Sequence, residues 1–259
     1  VNIYVFVKQV PDTEARIRID GKGTGIVTED ISFMDSPYDE FAVEEAIKTA
    51  EAHPGSIVTS VTIGPERASA LLRDNIAKGV NEAVHILTDE FGDFDALSTA
   101  KIIAAFLKDK QYDLLFFGNK AYGSDNSLVP SMTAALLNIP AVNIVVKLKI
   151  EGNKIIAERQ VEGMTEVVEA SMPCLISAQK GLNEPRIKSL KGIMASKKKE
   201  IPTITPDKLG INANDLKKSI KVINMSAPQT KSKGKIIELE PEAAAKELTD
   251  YLKNELKMI

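Results

Sequence analysis

One cysteine, Cys174, occurs among the 259 residues, so no disulfide can close within the chain. With no sign of secretion, that usage points to a reducing cytoplasm. Only two histidines occur, His53 and His85, far apart in sequence. A zinc site or a Ser-His-Asp triad would rest on one of them with little support nearby, which argues against both. No apolar run approaches the ~20 residues needed to span a bilayer, so no membrane insertion is expected. The opening VNIYVFVKQV lacks the basic start and cleavage pattern of a signal peptide and reads as a strand. Positive charge is not in excess. The 33 Lys and Arg stand against 36 Asp and Glu, for a formal net charge of −3, so nothing points to nucleic acid. The first strand leads into KQVPDT, not into a Ser-Gly-Gly-rich pyrophosphate loop. No Walker-type Gly-Lys-Ser/Thr occurs either. Both absences count against an ATP-using enzyme.

What is present is a chain with ordinary apolar content for a globular core, long enough for one large α/β domain or two smaller ones. Asn2 to Val7 alternates as a strand. Residues 11–32 read as a loop with a small hairpin turning at Asp20-Gly21. Ser36 and Pro37 open a helix, with Ser36 as N-cap and Asp39 and Glu40 in the first turn. His53-Pro54-Gly55 stops it. The pattern then predicts a strand over 57–63, a helix closed at Gly79, a strand over 83–87, a helix over 96–107 and a strand over 114–117. Strands alternating with helices of this length imply a doubly wound, mainly parallel Rossmann-like sheet.

After about residue 143 the pattern changes. Residues 143–150, 154–161 and 165–170 alternate without helices between them, which predicts an antiparallel edge extension. Cys174–Ala178 returns as an apolar strand. GLNEPRIKSLKGIMASKKKEI reads as polar and basic with isolated apolar residues. From about Pro202 to Lys235 the composition predicts an extended arm, and Glu240-Pro241 opens a last helix with Ala244, Leu248, Tyr251, Leu252 and Leu256 on one side. The expected organisation is a nucleotide-binding domain over 1–200 and an arm plus helix over 201–259, the latter folding back or packing on a partner.

The stretch FFGNKAYGSDNSLVPSMT, residues 116–133, stands out. It is the end of a buried strand, a polar loop punctuated by glycines, and a helix start with Pro130 just inside. Ligands in open α/β sheets sit outside the carboxyl ends of strands, and a helix start offers free N–H groups to phosphate. A plain connection fits the same pattern.

Taken together these segments resemble the beta subunit of electron transfer flavoprotein. The resemblance is carried by AERQVEGMTEVVEASMPCLIS, in which Arg159, Glu162, Gly163, Glu166, Val168, Pro173, Leu175, Ile176 and Ser177 match the family pattern and Met164 departs from it. VKQVPDT, SPYDEFAVEEA and GLNEPRIKSLKGIM match as well. The resemblance covers essentially the whole chain. It implies a nucleotide-binding α/β subunit paired with a larger alpha subunit, one FAD at the interface, and a structural AMP. The implied function is electron relay from dehydrogenases to a downstream acceptor, with no substrate transformed by this chain.

The resemblance assigns AMP to Phe6, to the turn Ser36, Pro37, Tyr38 and Asp39, to Ile63, and to the loop Tyr122, Gly123, Ser124, Asp125, Asn126, Ser127, Leu128, Val129, Pro130, Ser131, Met132 and Thr133. Each has a plainer reading: strand core for Phe6 and Ile63, an N-cap for Ser36, loop-holding for Asp125. Ser127, Ser131 and Thr133 offer hydroxyls to phosphate. Tyr38 matches an aromatic near the flavin or packs as a helix-start Tyr. Thr13 stands where relatives carry a second aromatic. A subset of the family holds a second FAD in place of AMP and takes electrons from NADH. Its loop pattern is broken here at Asn126 and Leu128, which favours AMP. Leu190 matches an anchor for partner dehydrogenases, against ordinary loop packing. Lys197, Lys198 and Lys199 form a solvated face or steer acidic partners. Cys174 reads as strand core, and Arg159 and Glu162 as structural pairs at the hairpin.

Overall fold

The structure, a computed structural model, describes residues 1–88, 94–228, 234 and 236–259. A nine-stranded sheet forms its centre. In chain order the elements are β1 (Asn2–Val7), the short pair β2 (Gln9–Pro11) and β3 (Phe33–Asp35), α1 (Pro37–Ala52), β4 (Ile57–Gly64), α2 (Ser69–Lys78), β5 (Glu82–Leu87), α3 (Ala96–Leu107), β6 (Leu114–Gly118) and α4 (Val129–Leu137). There follow β7 (Ala141–Glu151), β8 (Lys154–Val161), β9 (Met164–Ser171), β10 (Cys174–Ala178), α5 (Leu190–Lys198), β11 (Thr203–Ile204) and α6 (Pro241–Asp250). The sheet order is β11-β5-β4-β1-β6-β10-β7-β8-β9, parallel from β11 to β7 and antiparallel from β7 to β9. Successive strands run outward from β1 in one direction through β4 and β5, and in the other through β6. The switch point therefore lies between β1 and β6.

Side chains alternate across a strand, so each strand feeds two cores. Ile3, Val5 and Val7 of β1 join Leu114 and Phe116 of β6 in a cluster with α1 and α2. Phe6, Leu115 and Phe117 face the other way and meet Ile102, Ile103, Phe106 and Leu107 of α3. Burial on both faces explains why these strands read as continuous apolar runs. The hairpins β7–β8–β9 have only one covered face, so they keep the alternation that marks them in sequence. Where β7 leaves β10 the register shifts, and Ile144 takes φ 63°, a strained conformation for a β-branched residue. Its N–H donates to Ser177 Oγ at 3.1 Å.

The structure departs from some of these expectations. The stretch after Ala178 is not helix-free: α5 begins at Leu190, which is therefore a helix residue and not part of a loop. Ser189 caps it, accepting the Gly192 N–H at 3.0 Å. Periodicity concealed this helix because Gly192 stands where a side chain would strike the Ala77 carbonyl of α2. Past residue 201 the chain first stays against the body. Thr203–Ile204 extends the sheet beside β5, Leu209 and Ile211 pack on the α3-side core, and Leu216 is buried in it. The part of the expected arm at 229–233 and 235 lies outside the described residues. Arg159 makes a structural pair at the hairpin, with Glu166 across the strands at 3.7 Å. Finally, Ser36 makes no side-chain cap on α1. The small hairpin expected at Asp20-Gly21 is present, with an antiparallel bridge from Ile19 to Ile26 and the Val27 N–H donating to the Arg18 carbonyl at 2.8 Å.

Arg186, just before α5, fixes that helix to the rest. Its guanidinium donates to both carboxylate oxygens of Glu44 (2.8 and 3.1 Å) and of Glu51 (2.6 and 3.0 Å). Glu44 is buried, so loss of its partner strands a charge. Because the arginine is partly exposed, Arg186→Ala should lower the unfolding free energy by about 2 kcal/mol in denaturant titration. Arg186→Lys, which cannot reproduce the two forked contacts, should recover less than half of that loss.

Candidate functional site

A cavity of about 400 Å³ opens at the carboxyl ends of β4, β1 and β6. Its apolar wall comes from strand ends: Phe6, Val61, Ile63 and Phe117, with Ile103 of α3. The Phe6 and Phe117 rings stack at 4.7 Å between centroids and 16° between planes. The opposite wall is polar. Lys8 follows β1, Lys120 follows β6, and Ser124, Asn126 and Ser127 come from the loop. The starts of α3 and α4 border the same space through Asp95, Ala96, Leu128, Val129 and Pro130. Helix starts and lysines both favour an anion, and the strand ends favour a flat apolar ring.

Asp39, in the first turn of α1, joins these parts. Its Oδ2 accepts the Lys8 N–H at 2.7 Å and its Oδ1 accepts the Gly118 N–H at 3.1 Å. One carboxyl thus ties α1 to the ends of both strands at the switch point. Burial pushes the Asp39 carboxyl up to about 8, against the pull of the Lys8 and Gly118 amides and of the Lys8 side chain. Burial also lowers Lys8, which Asp39 partly offsets. Gly118 has no alternative here. A Cβ on it would strike the Asp39 carboxyl and come within 2.8 Å of the α1 backbone.

The loop from Ala121 to Leu128 is held by its own contacts. Lys120 Nζ meets Asp125 Oδ1 at 2.8 Å, and Asp125 also accepts the Gly123 N–H at 3.2 Å. Asp125 and Ser127 adopt left-handed backbone, at φ 46° and 53°. Such angles are uncommon outside glycine and persist where surrounding structure holds them. Ser36, wholly buried, does part of that holding: its Oγ accepts the Tyr122 N–H at 3.2 Å and donates to the Lys120 carbonyl at 3.4 Å.

Of the residues singled out in sequence, Phe6, Asp39 and Ile63 border the cavity, as do Ser124 and the run Asn126 to Pro130. Ser36, Pro37, Tyr38, Tyr122, Gly123, Asp125, Ser131, Met132 and Thr133 do not line it. Tyr38 sits under Lys120 at 5.7 Å, Ser131 Oγ accepts from Asn143 at 3.0 Å, and the buried Thr133 hydroxyl has no hydrogen-bond partner among the described residues. Sequence reasoning missed Lys8 and Lys120, although both follow strands whose carboxyl ends it had marked. It also missed Asp95, whose Oδ1 accepts the Ser98 N–H at 2.8 Å as an N-cap before an apolar run, a legible signal. Ile220 and Val222 of the arm, which also line the cavity, carried no signal. A second, wider hollow of about 650 Å³ lies at the β8–β9 turn, between Gln160–Thr165 and Ile144. It is an open surface, far less enclosed than the first.

These features define a doubly wound α/β protein of the Rossmann-like class, with a ligand-sized cavity at its switch point. The electron transfer flavoprotein domain matches residues 24–209. The beta subunit of electron transfer flavoprotein from Bacillus subtilis (strain 168) is 39% identical over 261 residues, covering 100% of both chains. The beta subunit from Thermoanaerobacterium thermosaccharolyticum is 38% identical, covering 97% of this chain and 98% of its own. Subunit CarD of the caffeyl-CoA reductase–Etf complex of Acetobacterium woodii is 34% identical, covering 92% of each. The chain belongs to the electron transfer flavoprotein beta-subunit family. It is a family of flavin-binding electron-transfer proteins whose beta subunits pair with an alpha subunit. Among the described residues no helix is long and apolar enough to cross a membrane.

The Asp39 carboxyl gives the site a pH signature. Its pKa in the folded chain, about 8, lies above the ordinary 3.8, so folding takes up a proton there between those values. Stability from this group is complete below about pH 4 and is lost as pH rises toward 8. Asp35, pushed to about 7 by burial against the pull of Lys78, acts in the same direction. The Tm of the isolated chain should therefore fall from about pH 5 to 8, and Asp39→Asn should make that fall shallower. An unchanged slope would mean that Asp39 is ionised across the whole range.

Proposed function

We propose that this chain is the beta subunit of a heterodimeric electron transfer flavoprotein that binds one structural AMP in the switch-point cavity. With its alpha subunit it holds one FAD at the subunit interface and relays electrons from dehydrogenases to a downstream acceptor. It transforms no substrate of its own, and it works in the cytoplasm. The observation that carries the reading is the cavity itself. A volume of about 400 Å³ lies low in the usual ~300–1,000 Å³ range of small-molecule sites, which suits a mononucleotide better than a dinucleotide. The donor set fits AMP as well: Phe6, Ile63 and Phe117 for adenine, and Lys8, Lys120 and the helix starts for ribose and phosphate. Ser36 and Asp125 serve this site by positioning the loop. Tyr38 is the residue of this chain set nearest the flavin in this reading.

Two exposed surfaces support the partners. The terminal helix α6 has no buried residue, and Leu248 and Leu256 remain about half exposed on it and the turn that follows. Such a face at the end of an arm suits the alpha subunit. Leu190 and Met194 stand 83% and 68% exposed one helical turn apart on α5, and Ile187, 92% exposed, lies just before the helix. A rigid helix bearing exposed aliphatic residues suits insertion into a pocket of a partner dehydrogenase, with Leu190 as the anchor. Lys197, Lys198 and Lys199 at its end would steer an acidic partner and raise the association rate more than the affinity.

The alternative is a second FAD in place of AMP with NADH as donor. The relationship to a subunit of a caffeyl-CoA reductase–Etf complex favours it. The size of the cavity and the altered residues Asn126 and Leu128 weigh the other way. Acid release of nucleotides from the purified αβ complex separates the two. One FAD and one AMP per heterodimer is the expected result; two FAD and no AMP would overturn it. A chain ending at residue 240 should keep its Tm within a few degrees yet no longer copurify with the alpha subunit.

A further inference from the structure

Residues 217–228 run without regular secondary structure, yet both ends of their central part are tied down. At the near end Leu216 is buried in the α3-side core. Ser98 Oγ donates to the Leu216 carbonyl at 3.3 Å, and Lys101 Nζ donates to the Asp215 carbonyl at 2.9 Å. Ser219 then donates its N–H to Asp95 Oδ2 at 2.6 Å. Asp95 therefore has two duties, capping α3 through Oδ1 and holding this segment through Oδ2. At the far end the Met225 N–H donates to the Gly23 carbonyl at 2.8 Å, and Asn224 stands beside the same glycine.

Between the two ties lie six residue steps, roughly 20 Å of extended chain. Ile220 and Val222 line the cavity. Their spacing places both on one side of an extended segment, and Ile223 faces out, 88% exposed. Ile220 and Val222 themselves are 70% and 49% exposed, so their aliphatic surface is only partly covered by the chain. A ligand in the cavity would cover more of it.

We propose that residues 219–225 form a strap across the nucleotide cavity, tied to Asp95 and to Gly23. In it, Ile220 and Val222 retain the ligand and limit it to a mononucleotide. The proposal rests on the reading of the cavity as an AMP site. Because the strap leaves the body just before the segment that leads to α6, the ligand is held by the same stretch of chain that reaches toward the partner. Release of the nucleotide requires the strap to lift from at least one tie. Asp95 acts as a positioning residue: it holds Ser219, and Ser219 sets where Ile220 and Val222 lie.

The test uses the purified αβ complex and measures how fast bound AMP exchanges with radiolabelled AMP. The variant Ile220→Gly with Val222→Gly removes side chains that are largely exposed, so its fold is not at risk. Ser219→Pro removes the N–H that Asp95 accepts and leaves the α3 cap in place. Both should speed exchange by roughly tenfold or more, the effect expected when aliphatic contact with a ligand is lost. Ile223→Gly, on the same segment but facing outward, should leave the rate unchanged. AMP present in the wild type with exchange unaltered in the double variant would overturn the strap. Equal acceleration by Ile223→Gly would also overturn it. Two FAD and no AMP in the wild type would instead overturn the mononucleotide reading and the size limit with it, a result read from nucleotide content and not from rates.

Discussion

The hydrogen bonds from the Lys8 and Gly118 amides to the Asp39 carboxyl hold the rest of the structure in relation. They join three elements that the sheet topology alone leaves separate at the switch point: the end of β1, the end of β6 and the first turn of α1. Hydrogen bonds to a charged acceptor contribute about 1.5–3 kcal/mol each, but burying a carboxylate opposes that gain. The raised pKa of Asp39 is the net outcome, with burial outweighing the donors. Gly118 follows as a requirement, since any side chain there would occupy the space of the carboxyl. So does the position of Lys8, whose backbone N–H is held by Asp39 and which lines the cavity.

The two-faced burial of β1 and β6 sets the character of the site. Residues of one parity enter the α1 side of the core, and those of the other enter the α3 side. At the carboxyl ends the α3-side series, Phe6 and Phe117, runs on into the cavity as its apolar wall. The loop after β6 then turns over that wall, carried by left-handed Asp125 and Ser127 and by the Ser36 tie. An apolar floor and a polar, cationic rim are thus consequences of where strands stop and helices start. The residues that finish the enclosure come from the far end of the chain.

The parallel sheet, its helices and the hairpin extension were legible in the sequence because local periodicity encodes them. The cavity's place was legible for the same reason, since strand ends and helix starts mark it. Individual duties within it were less so. Ser36 looks like an N-cap from its neighbours, yet its hydroxyl serves a loop 86 residues away. Helix α5 was hidden because Gly192 and the lysines obscure its stripe, and only its close approach to Ala77 explains the glycine. Ile220 and Val222 sit in a stretch rich in Lys, Ser, Pro and Asn, with no regular secondary structure. Their role depends on Asp95, 124 residues from Ser219, and no local pattern records a pairing of that range. Residues 203–216 escaped for a like reason, because a two-residue strand and two short helical turns have too little length to show a period.

The proposed function stands or falls on one mononucleotide in the space framed by Asp39, the loop after β6 and the strap. A crystal structure of the αβ complex, grown as purified without added nucleotide, tests it directly. Density for a single mononucleotide is expected there, its base against Phe6 and Ile63, its phosphate toward the lysines and helix starts, and residues 219–225 closed over it. A flavin in that space would contradict it. An empty cavity in a complex that still carries its nucleotide elsewhere would contradict it as well.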